Sequence, residues 1–213
     1  MTQIVAVDGS PLALESIRML DYLRTRSAEL TASAICERIR AAAAELDNAL
    51  NGVSEAEARV RPITGKWTIA EVIDHIAQTQ IRGTEELRHL LAGRRPPAPP
   101  VYEALRSGAG EWAPWDVLVA DLRDANRAMI ELLETATDEL PSEPSPTVRT
   151  VVVALQKLED GATRPQIFFA ELTWKEYALL QRLHLLDHRT QVRKLRDAVA
   201  CLNTTAAFPP PAM

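Results

Sequence analysis

Glycine is scarce in this chain of 213 residues, with 8 in all, and aromatic residues make up only 5%. A turn-rich all-β fold needs more of both, so the composition argues against one and for helix, which the many Ala, Leu, Glu and Arg residues favour. Positive charge is not in excess: 24 Lys and Arg stand against 29 Asp and Glu, a net charge of −5. A nucleic-acid surface shows a basic footprint. Here Arg94–Arg95 and the group Arg189, Arg193, Lys194, Arg196 are small, balanced by acids, and read as solvated helix faces. No apolar run approaches the roughly 20 residues a membrane span needs. The opening Met1–Asp8 is apolar only briefly and has no basic leader, so the cytoplasm is the expected compartment. Cys36 and Cys201, the two cysteines, lack Cys-x-x-Cys spacing and read as reduced residues, Cys36 inside a helix interface.

What is present is helical periodicity. Ser10-Pro11 reads as a helix start, and Ile17, Leu20, Leu23, Leu30, Ala34, Ile35, Ile39, Ala43, Leu46 and Leu50 follow at a helical spacing. They form one long helix, or two with a break around Thr31, ended by Asn51-Gly52. Ser54–Glu57, Thr68–Glu71 and Thr173–Glu176 each have the capping-box form, a hydroxyl followed three residues later by a glutamate. The second opens a helix with its stripe at Ile69, Val72, Ile73, Ile76, Gln80, Gly83, Leu87 and Leu90, and the third opens the last long helix. Between them a helix starting near Pro114 carries Trp115, Leu118, Leu122, Ala125, Met129 and Leu133. The expected fold is all-α. It is a four-helix bundle with helices over about residues 12–50, 68–92, 114–138 and 174–200, and long crossover connections over 94–113 and 141–172. The β-rich runs 150–155 and 166–169, separated by Glu159-Asp160-Gly161, read as one small hairpin before the last helix. The alternative is a helical turn for the first run. Residues 1–10 read as a flexible N-terminus, 11–200 as a single bundle domain and 201–213 as a tail.

The last helix carries chemistry on its inward seam. From Tyr177 the three-and-four steps run Leu180, His184, His188, Gln191, Leu195, Ala198 and Leu202, two imidazoles and an amide between apolar residues. Residues four apart are neighbours on one face, so His184 and His188 can aim at one atom, as a helical His-x-x-x-His pair does in metal sites. Alone that spacing is a weak signal, shared by surface histidines and by core histidines bonded to carbonyls. His75, seven residues past the Thr68 cap, lies at a depth comparable with His184. His89 is about 21 Å further along the same helix and cannot join them. Asp74 and Asp187 each precede a histidine, but adjacent helical positions point about 100° apart, so both read as surface or interhelical carboxylates. Capping occupies Glu71 and Glu176, which leaves no evident acid–base residue. Gln191 can ligate weakly, orient a water or bond to a neighbouring helix, with support of the histidines from behind the preferred role. Trp67, Trp174 and Tyr177 read as core aromatics, with Tyr177 the one on the His184 stripe where it can line a pocket.

The segment Gly65-Lys-Trp-Thr-Ile-Ala-Glu-Val-Ile-Asp-His75-Ile resembles a signature element of the DinB-like (also called YfiT-like) bundle family. Phe168-Phe-Ala-Glu-Leu-Thr-Trp174, followed by His184-Leu-Leu-Asp-His188-Arg-Thr-Gln191, resembles its closing helix, and the resemblance covers roughly residues 31–200. It implies a three-histidine site of His75, His184 and His188 holding one divalent metal ion. All-nitrogen ligation suits zinc, nickel, copper or iron, with zinc or nickel expected here. Three protein ligands with an open fourth position is the pattern of a catalytic site. The resemblance further implies either a transferase using a low-molecular-weight thiol or a metal-dependent hydrolase, acting on a small molecule. The alternative is a non-catalytic ligand-binding or protein-interaction bundle whose metal is structural or adventitious. A homodimer is expected from the same resemblance and from the apolar content of the first helix. Neither nucleic acid nor a membrane is expected as a partner.

Overall fold

The computed structural model describes residues 6–101, 103–139, 145–158 and 161–207. It is a helical bundle carrying one two-stranded antiparallel sheet, the fold class expected. The elements run α1 (Leu14–Glu29), α2 (Ala32–Leu50), α3 (Glu55–Arg59), α4 (Ile69–Leu91), α5 (Ala109–Trp112), α6 (Trp115–Glu134), β1 (Val148–Lys157), β2 (Thr163–Leu172) and α7 (Trp174–Ala207). Among the described residues no helix is long and apolar enough to cross a membrane. The chain divides into two compact units, one of Met1–Glu37, Gly83–Ala104 and Leu132–Gln181, the other of Arg38–Arg82, Leu105–Glu131 and Arg182–Met213. The four long helices α2, α4, α6 and α7 each contribute residues to both.

In the first unit the expected first helix is two helices. Leu30 is extended, and the Thr31 hydroxyl accepts the Ala34 amide to start α2. The break is held from outside it: Lys175 Nζ donates to the Leu30 carbonyl at 2.9 Å and Asp138 accepts the Ala32 amide at 3.0 Å. These partners satisfy helix-end groups that have no bond within the helix. The hairpin is longer than the β-rich runs suggest, with register from Val148↔Leu172 to Lys157↔Thr163. Alternation sends Val148, Val152, Ala154, Phe168, Ala170 and Leu172 inward, as a period of two requires. Gly161, at φ +81, takes the left-handed conformation at the turn, while Glu159 and Asp160 of the expected Asp-Gly signal lie outside the described residues. Ala6 forms an isolated antiparallel bridge to Phe168. Gln166 is the polar member of the inward row: Oε1 accepts the Ala13 amide and the Ser16 hydroxyl, both at 2.7 Å, and Nε2 donates to the Pro11 carbonyl.

In the second unit the apolar stripes read from the sequence for α2, α4 and α6 are buried: Ile39, Leu46, Ile69, Val72, Ile73, Ile76 and Leu122 are at most 1% exposed. Burying such a side chain contributes about 1.5–3 kcal/mol before chain entropy is counted against it. On α7 the expectation is corrected: Leu185, Val192 and Val199, off the expected stripe, are buried, whereas Ala198 is half-buried and Leu202 is exposed, because a straight helix of 3.6 residues per turn drifts away from a strict three-and-four seam. Ser54–Glu57 is a complete capping box on α3. Thr68 and Glu71 form another on α4: the Glu71 amide donates to Thr68 Oγ1 at 3.2 Å and the Thr68 amide to Glu71 Oε2 at 2.7 Å. Helix α4 is therefore fixed at its first turn, two turns before His75.

The tail differs from the expectation in one respect: α7 runs to Ala207 and so takes in the first residues of the expected tail. Phe208–Met213 lie outside the described residues.

Candidate metal centre

His75 on α4 and His184 and His188 on α7 all belong to the second unit, and their ring nitrogens meet. The His184 Nε2 is 3.1 Å from the His75 Nε2 and 2.9 Å from the His188 Nε2. One ligand atom from each residue lies within 4.8 Å of the others. The rings approach edge to face, at interplanar angles of 70–80°, so the nitrogens converge instead of stacking. His75 is 9% exposed, and His184 and His188 are half-buried as residues.

The outer nitrogens decide what the inner ones present. His75 Nδ1 lies 2.8 Å from the Leu105 carbonyl oxygen. A carbonyl only accepts, so Nδ1 carries the proton and Nε2 presents a lone pair. His188 Nδ1 lies 2.8 Å from Gln191 Oε1, and the same logic leaves a lone pair on its Nε2. The remaining ring has no such partner: His184 Nδ1 is buried without a hydrogen bond.

Protonation does not resolve the crowding. Burial lowers the pKa of His75 despite the Leu105 carbonyl, and holds His188 at about 4. Burial, with the neighbouring His188 and His75, puts His184 well below the ordinary imidazole value. All three are neutral at pH 7. A neutral His184 can offer one proton at Nε2, which answers one of the two facing lone pairs and strands its own Nδ1. With the proton on Nδ1, three lone pairs meet. A cation receives all three at once. Zinc–nitrogen bonds of about 2.0–2.1 Å place tetrahedral ligand nitrogens roughly 3.3 Å apart, close to the separations here. The donor set fits a divalent ion.

The other candidates fall as follows. Gln191 is against His188, as described. Tyr177 belongs to the first unit, where its hydroxyl donates to the buried carboxylate of Glu86. His89 also belongs to that unit, with Nε2 3.4 Å from Glu85 and its carbonyl accepting the Arg94 amide. Asp187 is exposed. Asp74, read from the sequence as a surface or interhelical carboxylate, is 3% exposed and bonded to the loop before α5. Glu71 is held beyond its capping role, because Arg61 and Arg106 both reach Oε1, at 3.0 and 3.3 Å. Trp67 is half-buried with its ring 5.0 Å from that of His75, and the Arg106 guanidinium lies over the Trp67 ring at 5.3 Å from its centroid. Leu105 left no sign in the sequence, since a backbone carbonyl has no residue-type signature.

Residues 38–192 match the family model of the DinB superfamily. The chain belongs to the DinB superfamily. The match includes all three histidines, Leu105 and Gln191, and begins in α2. No curated protein and no solved structure matches the chain.

Proposed function

We propose that this DinB-superfamily chain is a metal-dependent enzyme acting on a small molecule, with His75, His184 and His188 as the protein ligands of one divalent ion, zinc or nickel. One observation carries the reading: three neutral imidazoles turn their Nε2 atoms to a common point. An ion bound there supplies a Lewis acid that favours the deprotonated form of a water or thiol. The protein's part is to hold the ligands ready. The Leu105 carbonyl and the Gln191 amide keep protons on the outer nitrogens, so the inner lone pairs stay free. Trp67 packs its ring against that of His75, tilted by 53° at 5.0 Å between centroids, which limits the imidazole's rotation. The reaction class is a transfer to or from a low-molecular-weight thiol, or a hydrolysis. No side chain is assigned as general acid or base.

A non-catalytic bundle with a structural ion is the second reading. It draws on two clefts of the second unit whose linings contain no histidine, one between Val53, Ile69 and Arg196, the other along Ala43, Leu122 and Arg123.

The test is metal content after dialysis of His75→Ala, His184→Ala, His188→Ala, Gln191→Ala and, as control, His89→Ala. Each of the first three is expected to lose most bound metal. Gln191→Ala is expected to weaken affinity by about 10–100-fold, and His89→Ala to leave it unchanged. Equal metal content in all five would overturn the reading. Loaded protein is then screened against electrophiles with and without thiols; turnover that needs both metal and thiol selects the transferase, and turnover with water alone the hydrolase. The homodimer belongs to the same proposal and is checked by sedimentation at tens of micromolar.

A further inference from the structure

Consecutive side chains of α4 grip two ends of one tetrapeptide. His75 Nδ1 donates to the Leu105 carbonyl at 2.8 Å. The Asp74 carboxylate takes the other end: Oδ1 accepts the Ser107 hydroxyl at 2.6 Å and the Ser107 amide at 3.2 Å, and Oδ2 accepts the Gly108 amide at 3.0 Å. Asp74 is 3% exposed, and three donors on a buried carboxylate are the strong, charge-assisted kind of hydrogen bond. Gly108 sits at φ +86, a conformation that favours glycine, where the chain turns into α5. The Ser107 hydroxyl accepts the Ala109 amide at 3.1 Å, which continues the turn. Because Asp74 and His75 point about 100° apart on the helix, the aspartate does not reach the metal point itself. It fixes the strip of backbone that fixes the histidine.

We propose that Asp74 is a positioning residue of the histidine centre: by clamping residues 107–108 it places the Leu105 carbonyl where it selects the Nδ1–H tautomer of His75 and sets that ring's direction. A carbonyl that strays by an ångström no longer holds the proton, and His75 then samples the other tautomer, in which Nε2 carries a hydrogen and cannot ligate. The tautomer statement stands on the hydrogen bonds alone. Its consequence for metal binding rests on the function proposed above.

The test separates the two. In metal-free protein with ¹⁵N-labelled imidazoles, long-range ¹H–¹⁵N correlation reads the tautomer of His75 directly. Wild type is expected in the Nδ1–H form. Asp74→Asn keeps the shape but replaces one acceptor with donors and removes the charge, and is expected to give a tautomer mixture. Its affinity for Zn²⁺, measured by chelator competition, is expected to fall by about 10–100-fold, the usual scale for a lost outer partner of a metal ligand. Ser107→Ala removes one of the three donors and keeps the carboxylate; it is expected to move both readouts the same way by less, and it decides the matter should Asp74→Asn not fold. A merely structural Asp74 would lower thermal stability with His75 still fully Nδ1–H and Zn²⁺ affinity within twofold of wild type, and that result overturns the proposal. If His184→Ala binds Zn²⁺ as tightly as wild type, the metal reading fails by itself, and the tautomer readout still judges Asp74.

Discussion

Gly110→Ala tests whether the segment leading into α6 is seated as tightly as the hydrogen bonds around it imply. Gly110 is buried, and a Cβ there would stand 2.8 Å from the Glu71 Cα, 3.0 Å from the Ala70 carbonyl oxygen and 3.1 Å from the Glu71 amide nitrogen. Carbon atoms in good contact sit about 3.5–4.0 Å apart, so something must retreat by several tenths of an ångström. All three obstacles are backbone, at the first turn of α4, which the Thr68–Glu71 box pins. Nor is α5 free to yield, because Arg59 donates to the carbonyls of Gly110 and Ala113. Forcing an extra methyl into such a place costs about 1–3 kcal/mol. The higher helix propensity of alanine returns at most about 1 kcal/mol. With backbone on every side the upper part of that range, about 2–3 kcal/mol, applies, and a net loss of about 1–2 kcal/mol remains, or roughly 2–8 °C in Tm for a chain of this size. Urea and thermal denaturation of the metal-free protein read it. Glycine-to-alanine changes where the backbone is compatible and nothing clashes stabilise by about 0.4–1 kcal/mol, so the sign itself is diagnostic. A variant as stable as wild type, or more so, would refute the packing argument. The same variant is expected to bind metal more weakly, since the displaced segment begins with Leu105.

The pH dependence of the metal-free protein follows from the histidines. His188 titrates at about 4 against the ordinary 6.5, and His184 and His75 are shifted the same way. The unfolded chain therefore binds more protons between those values, and stability is full above pH 6.5 and falls as the pH drops towards 4. His188 alone sets a ceiling of about 3 kcal/mol, reduced because the residue is only half-buried. A Tm that stays flat from pH 6.5 to 4.5, above the range where carboxylates such as Glu71 lose their favourable contacts, would contradict the burial of the cluster. In the first unit, Gln166→Leu removes the acceptor of Ala13 and Ser16 and the donor to Pro11. Ser16 is fully buried, and a stranded buried polar group costs about 1–3 kcal/mol, so a loss of at least about 1 kcal/mol is expected by urea denaturation. A change below about 0.5 kcal/mol would mean that the amide does not hold the hairpin to α1.

The parts of the site that were legible in the sequence are those that obey a period. His184 and His188 are four apart on a stripe, and His75 follows a capping box by two turns. Both statements survive folding because a helix converts spacing into direction with little freedom left over. Gln191 against His188 is the same rule at a spacing of three. The hairpin was visible as β-branched runs, but its ends were not, since strand length is settled by what lies beneath each inward residue, and Gln166 is inward for its bonds to α1, not for apolarity. Asp74 shows where periodicity stops. The 100° step turns it away from the histidine stripe, but an angle says only where a side chain does not point. What it meets is a loop whose path is fixed by closure between α4 and α6, by glycine at 108 and by the absence of room at 110, and closure is a property of two ends and not of a local pattern. Leu105 is further out of reach: it acts through its carbonyl, which every residue possesses. Half of the histidine centre's support is therefore written in spacing and half in the seating of a loop, and it is the second half that single substitutions at Asp74, Ser107 and Gly110 can shift without altering any ligand.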